Sequence, residues 1–282
     1  MARQKDESNR IPPLSDSVLD RIDHAWDALE RGEIELASTE AEELMEETEG
    51  HPEVRFLMGA ALFESGYPTE ALVELQSSEG RVDSPNVHIF YLASTMLELA
   101  RFEEAEKLFL QVLEIEEDKA PVQYGLAQVL EHLGRYAEAE PLYEEAFRSD
   151  PESYPLPTRM QRDAFEKVVR EAAECLPEEL TRHLSEVAIV VQDLPSRDVL
   201  VEAGGETITP TVLGLFVGRN LREASVFDPP ALPPTIFIYQ RNLERLCQTR
   251  EDLINEIRMT LYHELGHYLG LEEDELEARG LE

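Results

Sequence analysis

The chain has 282 residues, enough for two domains. Acidic residues outnumber basic ones 60 to 25, and the formal net charge of −35 repels phosphate backbones, which argues against nucleic acid as a partner. No apolar run approaches membrane-spanning length, the start from Met1 to Glu7 is polar, and the two cysteines, Cys175 and Cys247, stand far apart and form no metal-ligand cluster and no disulfide framework, so a reducing, cytoplasmic setting is expected.

Residues 1–17 are expected to be a flexible N-terminus. From residue 18 the chain is periodic at 34 residues. Gly32, Gly66, Ala100 and Gly134 keep that spacing, as do Ala37, Ala71, Ala105 and Ala139. Ile34, Pro68, Phe102 and Tyr136 share a further position, and so do Ala41, Leu75, Phe109 and Tyr143. Ala25, Gly59, Ala93 and Ala127 form a small-residue position that lets paired helices approach closely, while the large residues fill the gaps between pairs. This pattern resembles the tetratricopeptide repeat, with residues 120–153 the best match and the first repeat the weakest, as in many terminal repeats. The resemblance implies an α-solenoid of about four repeats over residues 18–153, with a groove for a protein or peptide. First-helix positions carry few Lys or Arg, unlike arrays that clamp a C-terminal carboxylate, and the acidic surface favours a basic partner. A spacer or dimerisation surface is the competing use.

Residues 154–160 form a Pro-rich junction, and residues 161–282 read as a second domain. Phe165, Val168, Val169, Ala172, Ala173 and Leu176 predict an amphipathic helix stopped by Pro177. Val187 to Val191 is a continuous apolar run and predicts a buried strand. Ala203 to Glu206 reads as a turn, Leu213 to Gly218 as a second strand, and Pro229 to Pro234 as a loop. The loop feeds a third strand, Thr235 to Tyr239. A short helix at residues 242–247 follows.

The last predicted helix carries His263-Glu264-Leu265-Gly266-His267. Thr249 is a plausible N-cap with Asp252 three residues on, and Gly270 can close the helix in a left-handed conformation. Leu253, Ile257, Leu261 and Tyr268 make a core stripe, with Glu256, Thr260, His263 and His267 on the neighbouring one. Four residues of α-helix advance about 6 Å and turn about 400°, so both imidazoles leave one face and can grip one metal ion. Glu264, beside the first ligand, is placed to take a proton from water held there. A hydrolytic zinc needs a third protein ligand and an open position. A chain reversal after Gly270 can return a carboxylate. Glu273 is the leading candidate, with Glu272, Asp274 and Glu275 as alternatives.

The order helix, three strands, helix, motif helix resembles the small zincin-like metallopeptidase family of bacteria, over about residues 160–282. The matching elements are Leu176-Pro177, Val187 to Asp193, Leu213 to Leu215, Leu232-Pro233, Ile236 to Tyr239 and His263 to Gly270. The family usually has Asp where Glu273 stands, and often Tyr-Glu where Phe216-Val217 stand. The resemblance implies a small α+β zincin-like domain after the repeats, with one zinc per chain held by His263, His267 and Glu273. The expected activity is zinc-dependent peptide hydrolysis: zinc polarises the carbonyl, and Glu264 moves the water proton to the leaving amine. Tyr239, Tyr262 and Tyr268 are candidates for the unassigned oxyanion partner. Two competing functions are a repeat scaffold whose metal domain turns over weakly or not at all, and hydrolysis of a non-peptide amide.

Overall fold

The 34-residue period becomes geometry in the computed structural model, which describes residues 12–115, 119–202, 208–219, 233–271 and 273–277. Eight helices alternate along the first part: α1 (Asp16–Glu30), α2 (Ile34–Glu47), α3 (Pro52–Glu64), α4 (Pro68–Ser78), α5 (Pro85–Glu98), α6 (Phe102–Leu113), α7 (Ala120–His132) and α8 (Tyr136–Ser149). Residues 1–11 of the expected flexible terminus lie outside the described residues, and Asp16 and Ser17 are already helical, capped by the Ser15 side chain.

The same closure joins the two helices of every repeat. The N–H of Glu33 reaches back to the Ala28 carbonyl, and Tyr67, Arg101 and Arg135 do the same to Leu62, Met96 and Leu130, at 2.8–2.9 Å. Each bond requires the preceding residue to be left-handed. Gly32, Gly66 and Gly134 have φ of 73°, 80° and 74°, and Ala100 adopts φ 55° despite its Cβ. The expected interior positions are buried: Ala37, Ala71, Ala105 and Ala139, and the series Ala41, Leu75, Phe109 and Tyr143. The small positions work by close approach. A Cβ on Gly59 would stand 2.8 Å from Leu75 Cγ. Gly125 plays the same part against Phe109, whose Cζ would lie 2.6 Å from an added Cβ.

The chain divides into two compact units, 1–139 and 140–282, and the division falls within α8. The second unit continues with α9 (Arg162–Glu174), α10 (Glu178–Thr181), β1 (Ala188–Gln192), α11 (Arg197–Glu202), β2 (Gly214–Val217), β3 (Thr235–Tyr239), α12 (Gln240–Leu246), α13 (Arg250–Leu269) and α14 (Glu273–Glu277). The repeat solenoid is thus followed by a small α+β domain. All three expected strands are present. Helices α10, α11 and α14 are additions. The turn expected at Ala203 to Glu206 and the loop residues 229–232 lie outside the described residues.

The sheet runs in the order β1-β3-β2, with β1 parallel and β2 antiparallel to β3. Ile189 pairs with Ile236 and Val191 with Ile238, so these four share one face. That face, with α9 and α13, encloses the core, where Phe165, Val168, Ala172, Leu253, Ile257 and Leu261 are buried. Residues 158–160 of the Pro-rich junction are pinned within this unit. Thr158 N–H donates to the Glu244 carbonyl at 2.7 Å, and Met160 N–H donates to the Glu244 carboxylate at 2.9 Å. Among the described residues, no helix is long and apolar enough to cross a membrane.

The Gly125–Phe109 contact yields a test. Gly125→Val should destabilise the chain by about 1–3 kcal/mol through overpacking. Adding Phe109→Leu should recover part of the loss, read as urea midpoints of the single and double variants.

Candidate metal centre

Helix α13 begins with a reciprocal cap. Thr249 accepts from Asp252 N–H at 3.1 Å, and Asp252 accepts from Thr249 N–H at 3.1 Å. It ends at Gly270, where φ is 79° and the Leu271 N–H bonds to the Gly266 carbonyl at 3.0 Å. Between these ends Leu253, Ile257, Leu261 and Leu265 are wholly buried. With that stripe turned inward, His263 and His267 emerge half-buried beside it.

The two imidazoles converge. Their Nε2 atoms lie 3.0 Å apart, with ring centroids at 4.6 Å and planes nearly perpendicular. Two nitrogens bound tetrahedrally at 2.0–2.1 Å from one zinc would stand about 3.3 Å apart. The pair therefore has the reach and the donor atoms that zinc takes. Among the described residues, no group of three or more His, Cys, Asp or Glu is arranged to hold a metal. Glu272 and the Glu273 side chain lie outside what is described. Asp274 and Glu275 are exposed on α14.

The chain does reverse after Gly270. Leu276 is fully buried and packs onto Gly266, with Leu271, Met259 and Tyr262 around it. Gly266, the second x of the motif, leaves room for Leu276. Helix α14, which Glu273 opens, is thereby fastened to the histidine helix.

Glu264 takes a different direction from its neighbours. It is buried, and its Oε2 accepts from the Phe216 N–H at 2.6 Å. The register explains this donor. Tyr239 N–H bonds to the Leu213 carbonyl at 2.9 Å, so bonded pairs alternate from there and the Phe216–Ile236 pair is non-bonded. Phe216 N–H therefore points away from β3 and is free for Glu264. Gly214 permits the approach, since a Cβ there would stand 2.5 Å from Thr260 Cγ2 and 3.3 Å from Glu264 Cγ. Strand β2 and α13 flank a cleft of about 190 Å³, lined by Leu213, Gly214, Glu256, Thr260, His263 and Glu264 among others. A second cleft of about 340 Å³, between α9 and β1, contains none of the motif residues.

The three tyrosines part company. Tyr268 donates to Glu186 at 2.9 Å, and Glu186 also contacts His183 Nδ1 at 3.1 Å. Tyr262 packs against the core and against Leu271 and Leu276. Tyr239 is fully buried, with its hydroxyl lacking a hydrogen-bond partner among the described residues. Burial, and then the charge of Glu264, push its pKa up to about 12. Residue patterns gave no sign of Phe216 N–H, Glu186 or Glu244. Glu244 is almost wholly buried, and burial raises its pKa despite Arg159 at 3.3 Å.

Two outcomes follow from this packing. Gly266→Ala should cost about 1–3 kcal/mol by driving into Leu276, and Leu276→Ala in the same chain should relieve part of that clash, measured as unfolding free energies. Tyr239→Phe should leave stability unchanged or raise it by about 1 kcal/mol, since it removes a buried hydroxyl without a partner. Because the folded pKa lies above the ordinary 10.0, stability should fall as pH climbs through about 12, and the Phe variant should fall less steeply.

No curated protein sequence matches this chain. A solved structure titled "Crystal structure of MamA" aligns over 45% of this chain and 74% of that one, at 16% identity and a TM-score of 0.38. Residues 86–152 match the tetratricopeptide repeat model, and residues 184–281 match the zincin-like metallopeptidase model. The chain therefore carries tetratricopeptide repeats followed by a zincin-like metallopeptidase domain.

Proposed function

We propose that this chain is a zinc-dependent peptidase whose repeat array recruits the protein or peptide that the C-terminal domain cleaves. The observation that carries the reading is the convergence of the His263 and His267 Nε2 atoms at 3.0 Å, beside a buried Glu264 on an open cleft. Matches to both family models support the combination. Zinc, when bound, would polarise a peptide carbonyl and make water acidic enough to lose a proton near neutral pH.

His263, His267 and Glu273 would hold that ion, one per chain. Gly266 and Leu276 support the Glu273 assignment because they fasten the short helix α14 to the histidine helix. Glu264 acts as general base: it accepts the proton of the attacking water and passes it to the leaving amine. Its partner Phe216 N–H is a donor, so one carboxylate oxygen is held at a set orientation. Two free cysteines support a reducing, cytoplasmic setting.

A second reading rests on the same contact. With one Glu264 oxygen engaged by β2, the domain would bind metal and serve as a scaffold with weak or no turnover.

Purified protein should contain about one zinc per chain, and His263→Ala or His267→Ala should each lose it. Zinc loss in Glu273→Ala, exceeding that in Glu272→Ala, Asp274→Ala or Glu275→Ala, checks the third ligand by elemental analysis. Glu264→Gln should keep zinc and fold while cleavage of peptide libraries drops about 10²–10⁴-fold. Equal cleavage by both proteins would remove Glu264 from the mechanism. Cleavage by neither would favour the scaffold.

A further inference from the structure

Rings from three successive first helices meet on the repeat array. Trp26 of α1 lies 4.9 Å from Phe56 and 5.8 Å from Tyr91, between centroids. Tyr91 of α5 lies 6.2 Å from Phe56 and 5.9 Å from Phe63, both on α3. Phe56 is buried, whereas Trp26, Phe63 and Tyr91 are only half-buried. The cluster thus offers aromatic surface to solvent, and such faces attract cations.

Carboxylates border the rings. Glu64 stands near the Tyr91 hydroxyl, and the charges of Glu64 and Glu30 both act on that phenol. Glu30 and Glu64 are the last residues of α1 and α3, and Glu98 ends α5 at the same 34-residue interval. A carboxylate at a helix C-terminus faces the negative end of the helix dipole, where a basic residue is normally favoured. Arginines elsewhere in the array neutralise their neighbours, as Arg55 does Glu74 and Arg135 does Glu106. Glu64 and Glu30 have no cationic partner among the described residues. Glu64 is exposed as a residue, while partial desolvation of its carboxyl raises its pKa. A cation placed here would meet part-exposed aromatic surface, two carboxylates and two helix C-termini.

We propose that Trp26, Phe63 and Tyr91, with Glu30 and Glu64, form a site for a lysine or arginine side chain of an extended peptide. This rests on the array's recruiting role and supplies its chemistry. The periodic recurrence of Glu at the ends of α1, α3 and α5 suits a segment with several basic residues laid across the repeats. The fit is one of charge and aromatic surface, with no requirement on the peptide's remaining side chains.

Trp26 is the single tryptophan of the chain, so its fluorescence reports the site directly. The probe is a capped octapeptide of alternating lysine and glycine, and the control has glutamine for lysine. Both are titrated into the full chain carrying Glu264→Gln, so that cleavage does not interfere. The lysine peptide should change Trp26 emission saturably, and the glutamine peptide should not. Glu64→Gln should weaken binding about 5- to 30-fold. Glu42→Gln, an equal charge change at an exposed position of α2, should weaken it less than twofold. Equal losses in the two variants, or calorimetric binding with no response from Trp26, would overturn the site. A protein partner captured by the array with undiminished affinity after Glu64→Gln would also overturn it, while leaving recruitment itself standing.

Discussion

Everything at the candidate metal centre depends on the burial of one stripe of α13. Leu253, Ile257, Leu261 and Leu265 have no exposed surface, and α9 and the sheet close over them. Rotating the helix would expose several large apolar side chains, each worth roughly 1.5–3 kcal/mol when buried. That cost fixes the direction of every other residue on the helix. His263 and His267 fall on the border of the stripe, where an imidazole is held by packing on one side and open on the other. Glu264, next in sequence to His263, is carried around toward β2. The opposite fates of neighbouring side chains are therefore one consequence of a single rotational constraint.

The sheet contributes through register. Strand β2 is an edge strand, and the alternation of bonded and non-bonded pairs along it decides which amides turn outward. A slip of one residue would turn Phe216 N–H into the β3 ladder and leave Glu264 without its donor. It would also replace Gly214 by a residue with a Cβ at the tightest point against Thr260. The register and the helix rotation meet at this carboxylate. Beside it lies Tyr239, a buried hydroxyl without a partner among the described residues, whose pKa burial and Glu264 push up to about 12.

The two units solve the burial problem by different means. In the repeats, each helix finds its partners next to it in sequence, and a left-handed residue closes every pair at the same point. In the second unit, the core joins α9 to α13 and β1 to β3 across long separations. Residues 158–160 belong to that long-range set, since Glu244 receives the Met160 amide and Gln240 donates to the Met160 carbonyl at 2.9 Å. A proline-rich stretch that reads as a stiff spacer is, at its far end, part of a buried polar network.

Local and periodic features were legible in the residues alone. The 34-residue spacing located the helix pairs, because a close approach demands a small residue and a left-handed turn tolerates few others. The histidine spacing placed two imidazoles on one face because 3.6 residues make a turn whatever the fold. Thr249, Asp252 and Gly270 marked the ends of that helix for equally local reasons. What surrounds Glu264 was not legible. Phe216 donates through its backbone, which every residue type except proline possesses, and the strand register that aims it is set by pairing with β3. The burial of Glu244 and the bond from Tyr268 to Glu186 join residues about eighty positions apart, with no spacing rule to announce them. The aromatic cluster lay between these cases. Its rings are plain in the sequence, but only the stacking of α1, α3 and α5 brings Trp26, Phe63 and Tyr91 beside the same two carboxylates.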